Sequence, residues 1–316
     1  MSGARSSPRT GWAPARCPSS CSPAPSPWSS SSIGCNAGRG GAVAKSHPEH
    51  RQNPWVKYGL ITAVAAYLLW LLGLPIFTLI RHTVEIGASR IAEELWQSEV
   101  AHAFALTVLL SLGAVLFNGV FGTLVAYVMV RQRFRGRALI NAILDLPFAV
   151  SPVVVGYMLI LLFGKSGWLQ GLAEWTGISW VFAWPGMLVA TLFVTFPFVV
   201  REVMPVLEEI GTEQEEAART LGAGGWKIFW RITLPGIRWG LLYGVSLTLA
   251  RALGEFGAVL VVGAGVSGST ETATIYVYRA MEERMFGGAY AASLILIGFS
   301  FLLLLGMEWF KKRSNV

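Results

Sequence analysis

Six apolar segments set the plan of the chain, at about 58–80, 104–130, 139–163, 184–204, 237–263 and 288–310. Each is close to the roughly 20 residues that a helix needs to cross a bilayer. The pattern predicts an all-α fold, a polytopic membrane protein with six transmembrane helices in a membrane domain over 51–316. An even number of spans puts both chain ends on one side. The longest polar interval of this apolar region, Glu208–Pro235, separates the fourth segment from the fifth.

That interval starts as a helix should. Thr212 is placed to cap the first turn with its hydroxyl, and Glu215 to reach back to the free backbone donors as a capping box. Gly222 supplies a stop. Between them Ala217, Ala218 and Leu221 give an otherwise acidic helix a small apolar face, which lets another protein surface approach closely. Trp226, Phe229 and Trp230 recur at i, i+3 and i+4, which predicts a second short helix ended by Pro235.

Composition agrees with a membrane domain: 53% of residues are hydrophobic and only 14% charged. The net charge of +7 comes from basic residues spread through short loops, so it reads as a topology signal and not as a nucleic-acid surface. Arg131, Arg133, Arg135 and Arg137 follow the second segment, Arg219, Lys227 and Arg231 lie in the polar interval, and Lys311, Lys312 and Arg313 close the chain. The opposite loops carry fewer, so the positive-inside rule puts both termini and the interval in the cytoplasm. Residues 1–50 are rich in Ser, Pro, Gly and Arg, and their first acidic residue is Glu49. They are expected to be disordered. Their composition resembles an organellar transit peptide, but a start codon placed too far upstream gives the same pattern and is the favoured explanation. All three cysteines, Cys17, Cys21 and Cys35, lie in this stretch without metal-ligand spacing, so neither a zinc site nor a disulfide framework is expected.

Candidate chemistry is sparse. Arg251 and Glu255 stand at i, i+4 inside the fifth segment, where a lone charge costs about 2.5–3.5 kcal/mol. Two interpretations stay open: groups lining a substrate route or gate together with Gly254 and Gly257, or an ion pair that fixes packing. Pro147, Pro152 and Pro197 can kink their spans, which is expected to serve packing. Gly240 and Gly244 form a GxxxG pair suited to helix contact, although the pattern recurs by chance. Asn118 is expected to hydrogen bond to a neighbouring helix and Asp145 to cap the start of its helix. Gly164, Lys165 and Ser166 end like a phosphate-binding loop, but the required earlier glycine is Leu159. No catalytic motif, metal site or cofactor site is expected.

Glu216, Ala217, Ala218, Gly222, Ile232, Leu234 and Pro235 reproduce, in identity and spacing, the EAA signature, and here the chain resembles the permeases of ABC importers. The resemblance implies the ABC transmembrane type-1 fold over about 103–310. It also implies a coupling loop over 205–236 whose helix docks on a separate ATPase subunit through Glu216, Ala217, Ala218, Leu221, Gly222, Ile232, Leu234 and Pro235. Arg251–Ala258 resembles the fifth-helix signature of sulfate and molybdate permeases, and Asp145–Gly156 (DLPFAVSPVVVG), Phe182–Pro185 (FAWP) and Thr191–Glu202 are similar to W-type permease subunits of sulfate and thiosulfate importers. That family implies a heterodimer with a T-type permease subunit, two ATPase subunits and a periplasmic sulfate-binding protein facing Gly263–Thr270. A molybdate or tungstate permease shares ALGEFGA. An ion-coupled secondary transporter or channel, the rival from another class, calls for paired intramembrane acids.

Overall fold

A computed structural model describes residues 54–314. The expectation for residues 1–50 lies outside this range. The chain divides into two units, Met1–Gly59 and Leu60–Val316, and of the first only the opening turns of helix α1 (Pro54–Leu68) are described. All elements among the described residues are helical.

Helix α1 runs through a π-helical turn, Leu69–Gly73, into α2 (Leu74–Ile86). Pro75 in the first turn of α2 has no N–H for the preceding turn and crowds its carbonyl, and a wider turn absorbs the mismatch. Gly87, at φ 90°, breaks the chain before the short α3 (Ala88–Leu95). The 34-residue α4 (Ser98–Arg131) follows. Next come α5 (Arg137–Ala149) and α6 (Pro152–Phe163), then α7 (Gln170–Thr176), the long α8 (Trp184–Ile210) and the short α9 (Glu213–Thr220). Helix α10 (Gly225–Ile228) passes through a second π turn, Phe229–Thr233, into α11 (Leu234–Leu253). Helices α12 (Gly257–Gly263), α13 (Ala273–Glu282) and α14 (Phe286–Ser314) complete the chain.

Four stretches, Trp55–Ile86, Ser98–Arg131, Trp184–Ile210 and Phe286–Gly306, are single helices long and apolar enough to cross a bilayer. Two bent pairs, α5 with α6 and α10–α11 with α12, bring the number to six, in register with the six apolar segments. The prolines depart from expectation. Pro152 does not merely kink the third span: it stands at a 111° break between α5 and α6. Val150 and Ser151 before it are extended, as steric conflict with a proline ring demands of the residue preceding it. Pro197 leaves α8 continuous. Pro235 does not end a helix but opens α11, because the π turn accommodates it as the first one does Pro75.

Helix α8 packs against both α4 and α11, which also touch each other, and carries the largest core among the described residues. Met129, Val199, Val203, Leu207 and Ile237 are buried there. Small residues set how close the helices come. A Cβ at Gly122 would meet Val199 at 2.9 Å, and one at Gly244 would stand 2.9 Å from the Val199 Cα. At Gly240 it would reach the Glu202 carbonyl at 2.9 Å, so both glycines of the GxxxG pair are needed where α11 crosses α8. Asn118 donates from Nδ2 to Thr195 Oγ1 (2.8 Å) and to the Leu192 carbonyl (3.2 Å), which pins α4 to α8 as the sequence suggests.

Candidate functional site

The motif residues gather on and beside α9. Its first turn carries Glu213, Glu215 and Glu216, favourable beside the free N–H groups of a helix start. The capping box does not form. The Thr212 hydroxyl donates to Glu216 Oε1 (2.7 Å), and Glu215 turns inward and is 4% exposed. At the far end Gly222, at φ 82°, closes a Schellman turn. Gly222 N donates to the Arg219 carbonyl (2.9 Å) and Ala223 N to the Ala218 carbonyl (3.0 Å). Any other residue is strained at that φ, which gives the motif glycine its physical reason.

The two sides of α9 differ. Glu216, Ala217 and Leu221 face outward, with Leu221 88% exposed. Ala218 is buried beneath them, so the expected apolar face of Ala217, Ala218 and Leu221 is split between the two sides. Ile232, Leu234 and Pro235 do not join that outer face. They lie in and after the second π turn, with Leu234 packed against the α8 core. Phe229 rests edge-on against Tyr127 of α4, with centroids 5.7 Å apart, which fixes this elbow to the second span.

Beneath α9 is an ion pair that the sequence does not advertise. Arg131, the last residue of α4, donates from Nε to Glu215 Oε1 (3.1 Å), with side chains 8% and 5% exposed. Its Nη1 donates to the Leu207 carbonyl (3.0 Å) and its Nη2 to the Gly211 carbonyl (2.7 Å). Leu207 belongs to the last turn of α8, whose carbonyls lack helical partners and favour a cation. Thr233 of the π turn donates to the same Glu215 oxygen (3.0 Å). Four segments thus converge on one buried pair.

The second locus is the break in the fifth span. Helix α11 stops at Leu253 and α12 leaves at 56° to it. Arg251, Gly254, Glu255 and Gly257 all lie at this joint. Arg251 Nη1 is 2.7 Å from Glu255 Oε2, with side chains 34% and 1% exposed. The contact is not aligned as a hydrogen bond, and Oε2 is buried without one. Glu255 Oε1 accepts from Ala258 N (3.1 Å) at the start of α12, and the Glu255 carbonyl accepts from Thr274 Oγ1 (2.8 Å). Gly257 meets the other broken span: its Cβ position lies 3.3 Å from Pro152 Cβ and 3.4 Å from Val153 N. Gly156 likewise approaches the Ala258 carbonyl, 2.8 Å from its Cβ position. The two breaks are therefore packed against each other.

Asp145 is not a cap. It lies well inside α5 and pairs with Arg201 of α8 at 2.6 Å, beside a polar cavity of about 620 Å³ lined by Arg137, Asn141, Arg201 and Glu208. A third polar cluster braces the loop between α12 and α13. Arg279 bonds the fully buried Glu271 from Nε (2.6 Å) and Nη2 (3.1 Å), and also pairs with Glu283 and Glu99. Hydrogen bonding to Glu271 holds the Arg279 pKa above its ordinary value. Thr270 Oγ1 donates to the Gly263 carbonyl (2.5 Å), so the loop that contains Gly263–Thr270 is internally tied.

Residues 118–316 match the family described as binding-protein-dependent transport system inner membrane component. The chain is 47% identical over 261 residues to the sulfate transport system permease protein CysW of Synechocystis, a match that covers 82% of this chain and 94% of that protein. It is 41% identical over 242 residues to the CysW protein of Escherichia coli K12, covering 77% and 82%. Among solved structures, a chain of a bacterial ABC transporter involved in the import of the acidic polysaccharide alginate superposes with a TM-score of 0.69 at 19% identity, covering 82% of this chain and 96% of that one.

Proposed function

The chain belongs to the binding-protein-dependent transport system inner membrane components, and from that premise we propose that it is the permease subunit of an ATP-driven importer of sulfate, with thiosulfate as a second substrate. It is a multi-pass inner-membrane subunit and not itself an enzyme. The observation that carries the mechanism is the two-sided α9: Glu216, Ala217 and Leu221 are presented outward, and the helix is bonded from beneath. Helix α9 docks on an ATPase subunit, and ATP hydrolysis takes place on that separate polypeptide. The basic loops after the second span and in the motif interval support a cytoplasmic position for α9 and for both termini.

The partners follow from the family. A T-type permease forms a heterodimer with this chain, two ATPase subunits dock with one on each permease, and a periplasmic sulfate-binding protein meets the braced Gly263–Thr270 loop. ATPase closure pushes α9, and α4 and α8 move with it. The contact of Gly257 with Pro152 and Val153 is where that movement changes the relation of the two broken spans, and non-helical backbone inside a membrane domain is tolerated where it is buried in protein or lines a cavity. Arg251, Gly254, Glu255 and Gly257 line this route or its gate. The relatives at 41–47% identity support sulfate as the substrate, and the binding protein does most of the selecting.

The docking test is co-purification. Extracted in mild detergent with the neighbouring gene products expressed, the tagged chain is expected to bring down an ATPase subunit and a second permease together. Recovery of the chain without any ATPase, in a preparation that still transports, overturns the proposal in favour of an ion-coupled carrier.

A further inference from the structure

Resting on that functional reading, we propose that Arg131 and Glu215 are the positioning residues that couple α9 to the membrane spans, so that ATPase movement is delivered to α4, α8 and α11 together. Glu216 is the motif acid, but it faces outward, and among the described residues its side chain is bonded by Thr212 alone. Glu215, one residue earlier, is the acid that holds the helix to the spans.

The geometry goes beyond an ordinary ion pair. Arg131 fills its guanidinium with three acceptors from two segments: Glu215 of α9, and the Leu207 and Gly211 carbonyls at the end of α8. The planar fork makes these three contacts directional, and a lysine ammonium cannot reproduce all of them from one position. Glu215 Oε1 takes a second donor from Thr233 in the turn that opens α11. A displacement of α9 that left α4, α8 or α11 behind would break at least one charge-assisted bond in a buried site, leaving an unpaired charge. The short linker Gly211–Thr212 alone gives no such constraint: Gly211, at φ 68°, has glycine's wide conformational range and nothing within 4 Å of its Cβ position, and it is the Arg131 bond to its carbonyl that holds it. Without the pair, α9 can tilt at that glycine while the spans stay still.

This predicts uncoupling, which is distinct from loss of docking. Glu215→Gln keeps the side-chain volume and an acceptor for Thr233 but removes the charge that Arg131 meets. Its outer face, Glu216, Ala217 and Leu221, is unchanged. In the full complex reconstituted in proteoliposomes, Glu215→Gln and Arg131→Lys are expected to retain the ATPase and to hydrolyse ATP near the wild-type rate, while ATP spent per sulfate imported rises about tenfold. Hydrogen exchange is expected to rise in α9 amides and to stay unchanged in the centres of α8 and α11. The exchanged pair Arg131→Glu with Glu215→Arg is expected to recover part of the coupling, since the two charges still meet. Unchanged ATP per sulfate in both single variants overturns the inference, as does a fall of hydrolysis and import in equal proportion, which marks plain loss of folded complex. If the wild-type complex imports no sulfate on ATP, the functional reading fails first and the inference falls with it; coupled import by the wild type with unaffected variants removes the inference alone.

Discussion

Glu216→Lys is expected to abolish ATP-driven uptake while the protein remains folded in the membrane. Glu216 lies exposed in the first turn of α9, and among the described residues its one side-chain bond comes from the Thr212 hydroxyl. Losing that bond costs about 0.5–1.5 kcal/mol and placing a cation at a helix start about 0.3–1 kcal/mol, too little to unfold the domain. The outward face is different. Reversing a charge where a partner buries it costs about 2–5 kcal/mol, a loss of roughly 30-fold or more in docking. Membrane fractionation and thermal unfolding are expected to match wild type, the ATPase to be lost on detergent extraction, and sulfate uptake to fall to background. Normal uptake by this variant would remove α9 as the docking helix. Leu221→Asp, at the most exposed apolar position of the same face, is expected to behave alike.

The second large effect concerns Arg251 and Glu255. Removing one member of a buried pair costs about 3–5 kcal/mol, because the other is left uncompensated, whereas replacing both with apolar residues is often neutral. Arg251→Leu alone is therefore expected to lower the amount of folded protein sharply, as the buried Glu255 loses its counter-charge, whereas Glu255→Leu leaves the partly exposed Arg251 and costs chiefly the Oε1 acceptor for Ala258 at the start of α12. The double change Arg251→Leu with Glu255→Leu separates the two interpretations of the pair. A packing role alone predicts that folded protein and uptake both return. A place on the substrate route predicts that folded protein returns in large part and uptake does not, and this is the expected result, since Arg251 is the partly exposed cation at the joint of the two broken spans. Uptake per folded molecule in the double variant, normalised to its level in the membrane, decides between them.

Much of this was legible in the residue pattern. The six apolar segments correspond to the four straight spans and two bent pairs because hydrophobic length is a local property that a bilayer reads directly. The motif glycine was legible for the same kind of reason: a left-handed residue is needed where α9 ends, and Gly222 supplies it. What failed were local rules that a distant residue outcompeted. Thr212 and Glu215 have capping-box spacing, but Arg131, 84 residues away, offers Glu215 a charged donor, and burial of that pair turns the carboxylate away from the helix start. Asp145 followed the same course, drawn to Arg201 across 56 residues. Nothing in the local sequence marks such partners. An acidic residue adjacent to the motif, with an arginine at the very end of an apolar span, is the one hint available.

Proline rules failed in both directions. Pro235 ought to stop a helix, yet a π turn lets the chain run through it, while Pro152, expected to kink, breaks its span outright because two extended residues precede it. The GxxxG pair carried little weight by itself, and its meaning comes from Val199 and Glu202 on the facing helix. These outcomes depend on what packs against each residue. That is also why the motif helix α9 could be located from sequence, whereas the buried bonds that hold it could not.

ATP-driven sulfate import is checked by labelled sulfate uptake into proteoliposomes that hold the full complex, with ATP inside and the sulfate-binding protein outside. Uptake is expected to require both ATP and the binding protein, to compete with unlabelled sulfate and thiosulfate, and to persist when ion gradients are collapsed. Uptake that continues without ATP and vanishes with the gradient, or that follows molybdate and ignores sulfate, would rule out this function.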